Sequence, residues 1–362
     1  MREPGSGKPK KGRGAVSNRS GRFEKEAREA VDDGWDLDDG DLPPLRTQVT
    51  LERPKTILAR NDSPDIPFDR SINPYKGCEH GCVYCYARPS HAYMGLSPGL
   101  DFESRLFAKP DAAKLLEAEL SKPGYRPQVI ALGANTDPYQ PIERQHRITR
   151  GVLEVLARFS HPVAVTTKSD LVCRDIDILG PMAEKRLAAV GVSVTTLDGR
   201  IARTLEPRAP RPEKRLQAIR RLASAGIPVT VMVAPMIPVL TDWEMERILE
   251  SAAAAGAVGA AYILLRLPLE VKELFREWLE GHAPDMARHV LGQVRETRDG
   301  RLNSAEFGSR MTGTGERAEL LARRFDLACD RLGLNQARVT AVGLDTGRFS
   351  RPAKAGDQLS LL

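Results

Sequence analysis

Short apolar runs alternate with amphipathic segments through the middle of the chain. Each run has the length of a buried strand, and the segments between the runs repeat apolar residues at helical spacing. The runs that predict strands are 128–134, 161–167, 189–195, 227–234 and 260–265. The segments that predict helices are 144–159, 176–186, 212–225 and 243–255. Repeated β–α units with short links predict a parallel sheet with right-handed crossovers.

The number of repeats defines the expected fold class. With one further strand ahead of Asn73, six β–α units predict an α/β fold, a partial (βα)6 TIM-like barrel. In barrels of this kind the chemistry lies at the carboxyl ends of the strands. Beyond Leu265 the repeat fades, and 269–281, 284–297 and 316–332 predict a C-terminal helical extension.

The two ends of the chain differ from this middle part. The first 45 residues carry a basic arm and then a run of aspartates, without a sustained apolar period, which predicts disorder. The basic arm is interpreted as a solvated tail or as a contact to nucleic acid. The expected organisation is a disordered charged arm at 1–45, a lead-in segment at 46–67, the core at 68–268, the helical extension at 269–348 and a flexible tail at 349–362.

Composition narrows the class of protein. Hydrophobic residues are 41% of the chain, and no apolar run reaches the length of a membrane span, so no membrane partner is expected. The N-terminus lacks the apolar core of a signal peptide, and five cysteines, three of them clustered, do not suggest a disulfide framework. A reducing, cytoplasmic location is therefore expected. The net charge of +6 favours a nucleic-acid partner only weakly.

The stretch NPYKGCEHGCVYCYAR holds the chemistry-bearing cysteines. Cys78, Cys82 and Cys85 follow the spacing C-x3-C-x2-C. Thiolates this close together are typical of ligands to one soft-metal group. A four-iron cluster held by three thiolates keeps one iron open to a substrate or cofactor. The alternative is a zinc site in which His80 or His91 is the fourth ligand.

The motifs NPYKGC-x3-C-x2-CYAR, TDPYQPIE, TTKS, EPRAP and APMIP together resemble a known family. This is the radical S-adenosylmethionine (SAM) superfamily, and within it the DNA repair photolyase-like subgroup related to spore photoproduct lyase. The resemblance covers about residues 68–268 and implies a barrel of the radical SAM type. It implies that the three cysteines bind a 4Fe-4S cluster, with Tyr84 at the aromatic position before the last of them.

The resemblance also implies an activity. The reduced cluster passes one electron to SAM, which splits to methionine and a 5′-deoxyadenosyl radical that abstracts hydrogen from a substrate. An electron donor such as flavodoxin or ferredoxin is implied as a partner. The protein's own share is to orient SAM and to exclude water from the radical.

Polar residues at the predicted strand ends are candidates for holding SAM. Asn135 and Asp137 follow the second strand, Lys168 follows the third, and Ser193 or Thr195 ends the fourth. Lys168 is placed to meet an anion such as the SAM carboxylate. The alternatives are turn capping for Asp137 and an ordinary surface position for Lys168.

Two charged residues lie in the loop after the fourth strand. Glu206 and Arg208 flank a proline, and a carboxylate and a guanidinium can bind the ribose or amine and the carboxylate of SAM. The alternative is an ordinary charged loop. Eight basic residues between 200 and 221 are interpreted as the solvated face of a helix, or as a contact to a phosphate backbone.

One departure from the related family leaves the substrate open. Spore photoproduct lyase has a cysteine near the end of its second strand, which returns hydrogen to the product radical. The stretch 131–140 has no cysteine here, and the remaining two are Cys173 and Cys329. Three hypotheses follow: a radical SAM enzyme acting on nucleic acid, DNA before RNA; a radical SAM enzyme modifying a protein or small molecule; and a non-enzymatic metal-containing nucleic-acid-binding protein.

The last five residues, QLSLL, carry a separate hypothesis. They resemble the short peptide by which bacterial DNA-repair and replication proteins dock on the sliding clamp. The residues that would make this contact are Gln358, Leu359, Leu361 and Leu362. The alternative is that the leucines fold back on the protein's own surface.

Overall fold

The computed structural model of the chain describes residues 11–24, 45–336 and 343–352. Its strands are β1 (Gln48–Leu51), β2 (Leu58–Arg60), β3 (Arg70–Ile72), β4 (Tyr75–Lys76), β5 (Arg105–Ala108), β6 (Ile130–Leu132), β7 (Val163–Thr167), β8 (Ala188–Ser193), β9 (Val229–Met236) and β10 (Gly259–Leu264). Its helices are α1 (Leu100–Ser104), α2 (Ala112–Leu120), α3 (Glu143–His146), α4 (Ile148–Arg158), α5 (Ile176–Glu184), α6 (Gly199–Leu205), α7 (Pro212–Ser224), α8 (Met245–Ala254), α9 (Val271–His282), α10 (Pro284–Glu296) and α11 (Gly315–Leu332).

A seven-stranded sheet forms the centre, in the spatial order β10-β9-β8-β7-β6-β3-β2. All neighbours from β3 to β10 run parallel, and β2 adds an antiparallel edge next to β3. Within the described residues β2 and β10 do not pair with each other, so the barrel is open. The six parallel strands and the α/β class are as predicted.

A small second sheet carries the cysteine loop. Strand β5 pairs in parallel with β1 and antiparallel with β4, in the order β1-β5-β4. Strand β4 ends at Lys76, immediately before the first cysteines. This sheet therefore fixes where the loop begins.

The main core lies between the central sheet and its covering helices, and a second apolar cluster lies under the cysteine loop. The second cluster joins Val83 and Tyr84 of the loop to Leu274, Phe275 and Trp278 of α9. The helical extension thus packs directly against the loop. No helix in the described part of the chain is long and apolar enough to cross a membrane.

Element bounds differ from the predictions where the backbone turns sharply. The predicted helix at 144–159 is two helices, α3 and α4, because Arg147 between them takes a left-handed conformation with φ of 50°. The predicted strand at 128–134 is paired only at Ile130–Leu132. A left-handed residue ends a helix, and apolarity alone does not signal it.

The prediction that 1–45 is disordered is wrong for residues 11–24. Residues 11–24 pack onto the fold, and Ala15 and Val16 are buried there. Local periodicity misses such a segment because its contacts are with distant parts of the chain. The rest of the arm, 1–10 and 25–44, lies outside the described residues.

The first residues of the predicted flexible tail, 349–352, include contacts to the fold. Phe349 packs against Phe159, with ring centroids 6.2 Å apart, and the amide of Ser350 donates to the carbonyl of Phe159 at 3.0 Å. Arg351 donates to the carbonyl of Lys122 at 2.7 Å. The QLSLL segment lies outside the described residues, and its docking on a sliding clamp stays a prediction.

Candidate cofactor site

Two glycines give the cysteine loop its shape. Gly77 and Gly81 have φ of 73° and 70°, in the left-handed region that favours glycine. A β-carbon on Gly77 would lie 2.6 Å from a methyl carbon of Leu106, and one on Gly81 would lie 2.7 Å from a carboxylate oxygen of Glu103. Both positions therefore require glycine for conformation and for space.

Arg88 holds the loop from beneath. Its buried guanidinium donates to the carbonyl of Cys82 at 2.8 Å and to that of Gly81 at 3.1 Å. It also forms a fully buried ion pair of 2.5 Å with Glu103. Five N–H donors in fixed directions make arginine suited to gathering carbonyls at a bend. Sequence analysis assigned no role to Arg88, although it closes the cysteine motif.

Gln140 joins the loop to the end of β6. Its side-chain nitrogen donates to the carbonyl of Gly77 at 3.1 Å, and its side-chain oxygen accepts from the amide of Glu79 at 2.9 Å. The amide of Cys78 donates to the carbonyl of Phe102 at 3.0 Å. The first ligand position is therefore fixed by hydrogen bonds on both sides.

The three thiols lie together in a largely buried setting. Cys78 and Cys82 are buried and Cys85 is partly exposed. Burial raises the pKa of all three, that of Cys82 to about 12. The neighbouring thiols raise the pKa of Cys78 further, so the sulfurs lie within electrostatic range of one another. Coordination to a metal deprotonates a thiol outright. This donor set therefore fits a soft-metal cluster.

The two histidines weighed as the fourth ligand of a zinc site each have one ring nitrogen near another group. In the described residues, no group of three or more histidine, cysteine, aspartate or glutamate side chains is arranged to hold one metal ion. His80 Nδ1 lies 3.3 Å from Asp137, and His91 Nε2 lies 3.0 Å from the carbonyl of Arg105. Both candidate fourth ligands face other groups.

Asp137 ties three parts of the site together. Its carboxylate accepts from the Thr167 hydroxyl and from the Lys168 amide, both at 2.7 Å, and it faces His80 of the loop. Burial opposes ionisation, but His80 and these donors outweigh it and hold the pKa of Asp137 at about 2. Asp137 also accepts from the amide of Tyr139 at 2.8 Å, which is the turn capping weighed from the sequence, and it joins the ends of β6 and β7.

Asn135 lies beside this junction. Its backbone amide donates to the side-chain oxygen of Asn73 at 3.0 Å. Asn73 begins the cysteine motif, so the end of β6 is held against the start of the loop. Of the predicted SAM contacts, Asn135 and Asp137 thus share one edge of the sheet with the cysteines.

Lys168 and Ser193 meet at the ends of β7 and β8. The Lys168 ammonium donates to the Ser193 hydroxyl at 2.8 Å and lies 5.8 Å from the ring centroid of Tyr84. Ser193 donates to the carbonyl of Ala234 at 2.9 Å. The ammonium also lies 3.9 Å from Glu206. This group gathers the ends of three neighbouring strands next to the loop.

Glu206 is the buried centre of this group. It accepts from the hydroxyls of Tyr84 and Thr195, the latter at 2.8 Å, and pairs with Arg215. Burial opposes ionisation, but Arg215 and Lys168 outweigh it and hold the pKa of Glu206 at about 2. Both carboxylate oxygens accept from protein groups, so Glu206 anchors Tyr84 of the loop to the sheet.

The two arginines near this carboxylate differ from expectation. Arg208 pairs with Glu79 at 2.7 Å and does not join Lys168 and Ser193. Arg215, interpreted from the sequence as part of a solvated helix face, is buried and pairs with Glu206. A signal was available, because Arg215 stands at helical spacing with the buried Ala218, Ile219 and Leu222 of α7.

The fold and the three-cysteine loop define a cofactor-binding α/β protein of the open-barrel class. A family model described as the Radical SAM superfamily matches residues 72–252, half of the chain. The chain belongs to this superfamily.

Relatives and solved structures agree with this assignment. The uncharacterized proteins Rv2578c of Mycobacterium tuberculosis and Mb2609c of Mycobacterium bovis are each 34% identical over 279 residues, 72% of this chain and 82% of theirs. Spore photoproduct lyase complexed with dinucleoside spore photoproduct matches with a TM-score of 0.56 at 16% identity, over 79% of this chain and 80% of that one. A mutant of that enzyme with bound AdoMet matches with a TM-score of 0.55 over the same shares. At this identity the structural likeness shows the fold.

The family's cofactors are a 4Fe-4S cluster and SAM. The cluster supplies one electron to SAM when both are bound. Cys78, Cys82 and Cys85 are the residues that would hold it, since their buried thiols fit a soft-metal group. Arg88, Gln140 and the two loop glycines hold those thiols together.

Proposed function

We propose that this chain is a radical SAM enzyme that acts on nucleic acid, with DNA as the first candidate. The observation that supports this is a surface beside the cysteine loop made of two arginine–aromatic pairs. The Arg266 guanidinium lies 4.9 Å from the ring centroid of Tyr86, and that of Arg310 lies 4.8 Å from Phe307. These four residues are called the arginine–aromatic surface below.

The rings of this surface are accessible. Tyr86, next to Cys85, is 46% exposed, and Phe307 is 60% exposed. Exposed apolar surface that is contiguous and rimmed by polar groups often marks an interaction site. Nucleic-acid bases stack on such rings and on guanidinium planes, and each base stacked contributes about 1–3 kcal/mol.

The charge of the surface suits a phosphate. Arg266 follows the end of β10 and forms no ion pair within the described residues, whereas Arg310 pairs with Asp65 at 2.5 Å. Burial lowers the pKa of Arg266, and Arg310 lowers it further, so the two guanidiniums are close. Asp65 also raises the pKa of Arg266, so two guanidiniums share one carboxylate, and the remaining positive charge attracts an anion. Solved structures with a likeness in fold include spore photoproduct lyase with a bound dinucleoside, which supports the same substrate class.

Replacing Arg266 and Phe307 together by alanine is expected to weaken binding of a labelled DNA single strand about tenfold or more. The reason is the loss of one stacking ring and one phosphate contact. The slope of log Kd against log salt concentration should fall by about 0.7, because this is the value for one phosphate contact on a single strand. Fluorescence anisotropy at several salt concentrations measures both.

A matched control is Arg331→Ala, because Arg331 pairs with Glu250 at 2.6 Å on the outer helices. It should leave affinity and slope unchanged. Native protein that binds neither DNA nor RNA single strands with a salt dependence would contradict the proposal and favour a protein or small-molecule substrate.

We further propose that Lys168 contacts the SAM carboxylate, with Asn135, Ser193 and Tyr84 beside it. The Lys168 ammonium is the cation at the meeting point of β7 and β8, and the loop is adjacent. Flavodoxin or ferredoxin remains the predicted electron donor.

Lys168→Ala is expected to keep its iron but to bind SAM about 10–100-fold more weakly, the loss of one charge-assisted contact. Arg208→Ala should lose less affinity, because Arg208 pairs with Glu79 instead. Isothermal titration of SAM into the anaerobic, iron-loaded variants measures the difference. Unchanged affinity in Lys168→Ala would remove this residue from the SAM site.

A further inference from the structure

The carboxylate of Glu103 lies under the cysteine loop and is completely buried. One oxygen accepts from the amide of Ala15 at 2.8 Å and from Arg88, and the other accepts from the amide of Gly14 at 3.0 Å. Two of its partners therefore come from a stretch about 90 residues earlier in the chain. That stretch, residues 11–24, is called the N-terminal segment.

The N-terminal segment touches the loop itself between the first two cysteines. A β-carbon on Gly14 would overlap the carbonyl oxygen of Gly81. Ala15 is fully buried in the apolar cluster that also holds Cys82 and Val83. No side chain larger than hydrogen fits at residue 14 while the loop keeps its shape.

Further contacts fix the segment in place on both sides of this point. Arg13 donates to the backbone carbonyl of Glu103 at 2.8 Å. Asn18 and Asp101 exchange two hydrogen bonds, of 3.0 Å and 2.9 Å. Arg19 pairs with Glu277 of α9 at 2.9 Å. The segment therefore connects the floor of the loop to the helical extension.

We propose that the N-terminal segment is part of the cluster site and positions its ligands. Its amides and Arg88 together saturate Glu103, and Glu103 in turn fixes Arg88, which holds the carbonyls of Gly81 and Cys82. The segment acts through these residues without touching the iron. Ala15 packs in the same buried apolar cluster as Cys82, so the segment limits access of chelators and oxygen to the cluster site.

The test is Gly14→Ala in the full chain, loaded anaerobically with iron and sulfide. We expect iron to transfer to a chromogenic ferrous chelator about tenfold faster than from native protein, the factor for losing one charge-assisted hydrogen bond. The melting temperature of the metal-free protein should fall by a few degrees at most, since one lost hydrogen bond costs about 1–3 kcal/mol in a chain of this size. The control Lys11→Ala alters the same segment at an exposed position and should release iron at the native rate.

Two results would overturn the proposal. One is a native rate of iron release from Gly14→Ala. The other is a fall in the metal-free melting temperature large enough to account for the faster release, which would make the segment merely structural. If Gly14→Ala does not fold, Arg13→Ala is measured against Arg13→Lys, which should restore the native rate. Iron release requires no substrate, so this outcome is independent of the nucleic-acid proposal.

Discussion

Alanine at Cys78, Cys82 or Cys85 is expected to reduce iron from about four atoms per chain to close to zero. The loop has three thiols and no spare one that could replace a lost ligand. The loop's glycines, Arg88 and Gln140 hold those three together. Removing one thiolate would leave two of the four irons without a protein ligand. Iron and sulfide analysis after anaerobic reconstitution, with the visible absorption of the cluster, measures the loss.

Cys173→Ala and Cys329→Ala are the matched controls. Cys173 lies against the carbonyl of Ala218 at 3.9 Å, and Cys329 is buried in α11. Both should keep a native iron content. Full iron content in any of the first three variants would show that its cysteine is not a ligand.

Arg215→Ala is expected to lower the free energy of unfolding by about 3–5 kcal/mol at neutral pH, the range for breaking a buried ion pair. The variant leaves Glu206 buried and charged. It also removes donors to the carbonyls of Pro210, at 2.8 Å, and Ser193, at 3.1 Å. Urea denaturation of the metal-free protein measures the change. Arg158→Ala, which breaks an exposed pair with Glu117, should cost at most about 1 kcal/mol.

The loss of stability in Arg215→Ala should depend on pH and should be largest at neutral pH. In native protein the pKa of Glu206 is lowered to about 2, so its contribution is fully present above the ordinary glutamate pKa and is lost as the pH falls through 2. Without Arg215, burial opposes ionisation with one cation fewer to offset it, and the pKa rises. The deficit relative to native protein should therefore shrink between pH 7.5 and pH 5, because Glu206 can bind a proton. A deficit that is constant with pH would contradict the buried-charge explanation.

The cysteine loop and the parallel strands of the core could be predicted because their signals are local. Three thiols within eight residues and apolar runs of strand length need no knowledge of distant contacts. The partners of Glu206 and Arg208 could not be predicted in this way. Both are charged residues of one loop, and they differ only in the distant side chains that they contact. Glu206 meets Tyr84 and Arg215, whereas Arg208 meets Glu79.

The packing of residues 11–24 was missed for a similar reason. Its main contacts are made by backbone amides and by the close approach of Gly14 to Gly81. Such contacts leave no hydrophobic period in the sequence. A stretch rich in Gly, Ser and Arg is typical of disorder when read alone. Only the buried Glu103, distant in sequence, gives those amides a partner.

The long-range anchoring of the loop has a consequence for the order of biosynthesis. Tyr84 and Glu206 are 122 residues apart, yet their contact joins the loop to the sheet. At synthesis rates of about 5–20 residues per second, Glu206 leaves the ribosome roughly 6–24 seconds after the cysteines do. During that interval the contact between Tyr84 and Glu206 cannot form, and the loop has only partners made earlier, such as Arg88 and Glu103. The complete cluster site is therefore expected to exist only after the barrel is finished, so that iron loading follows folding.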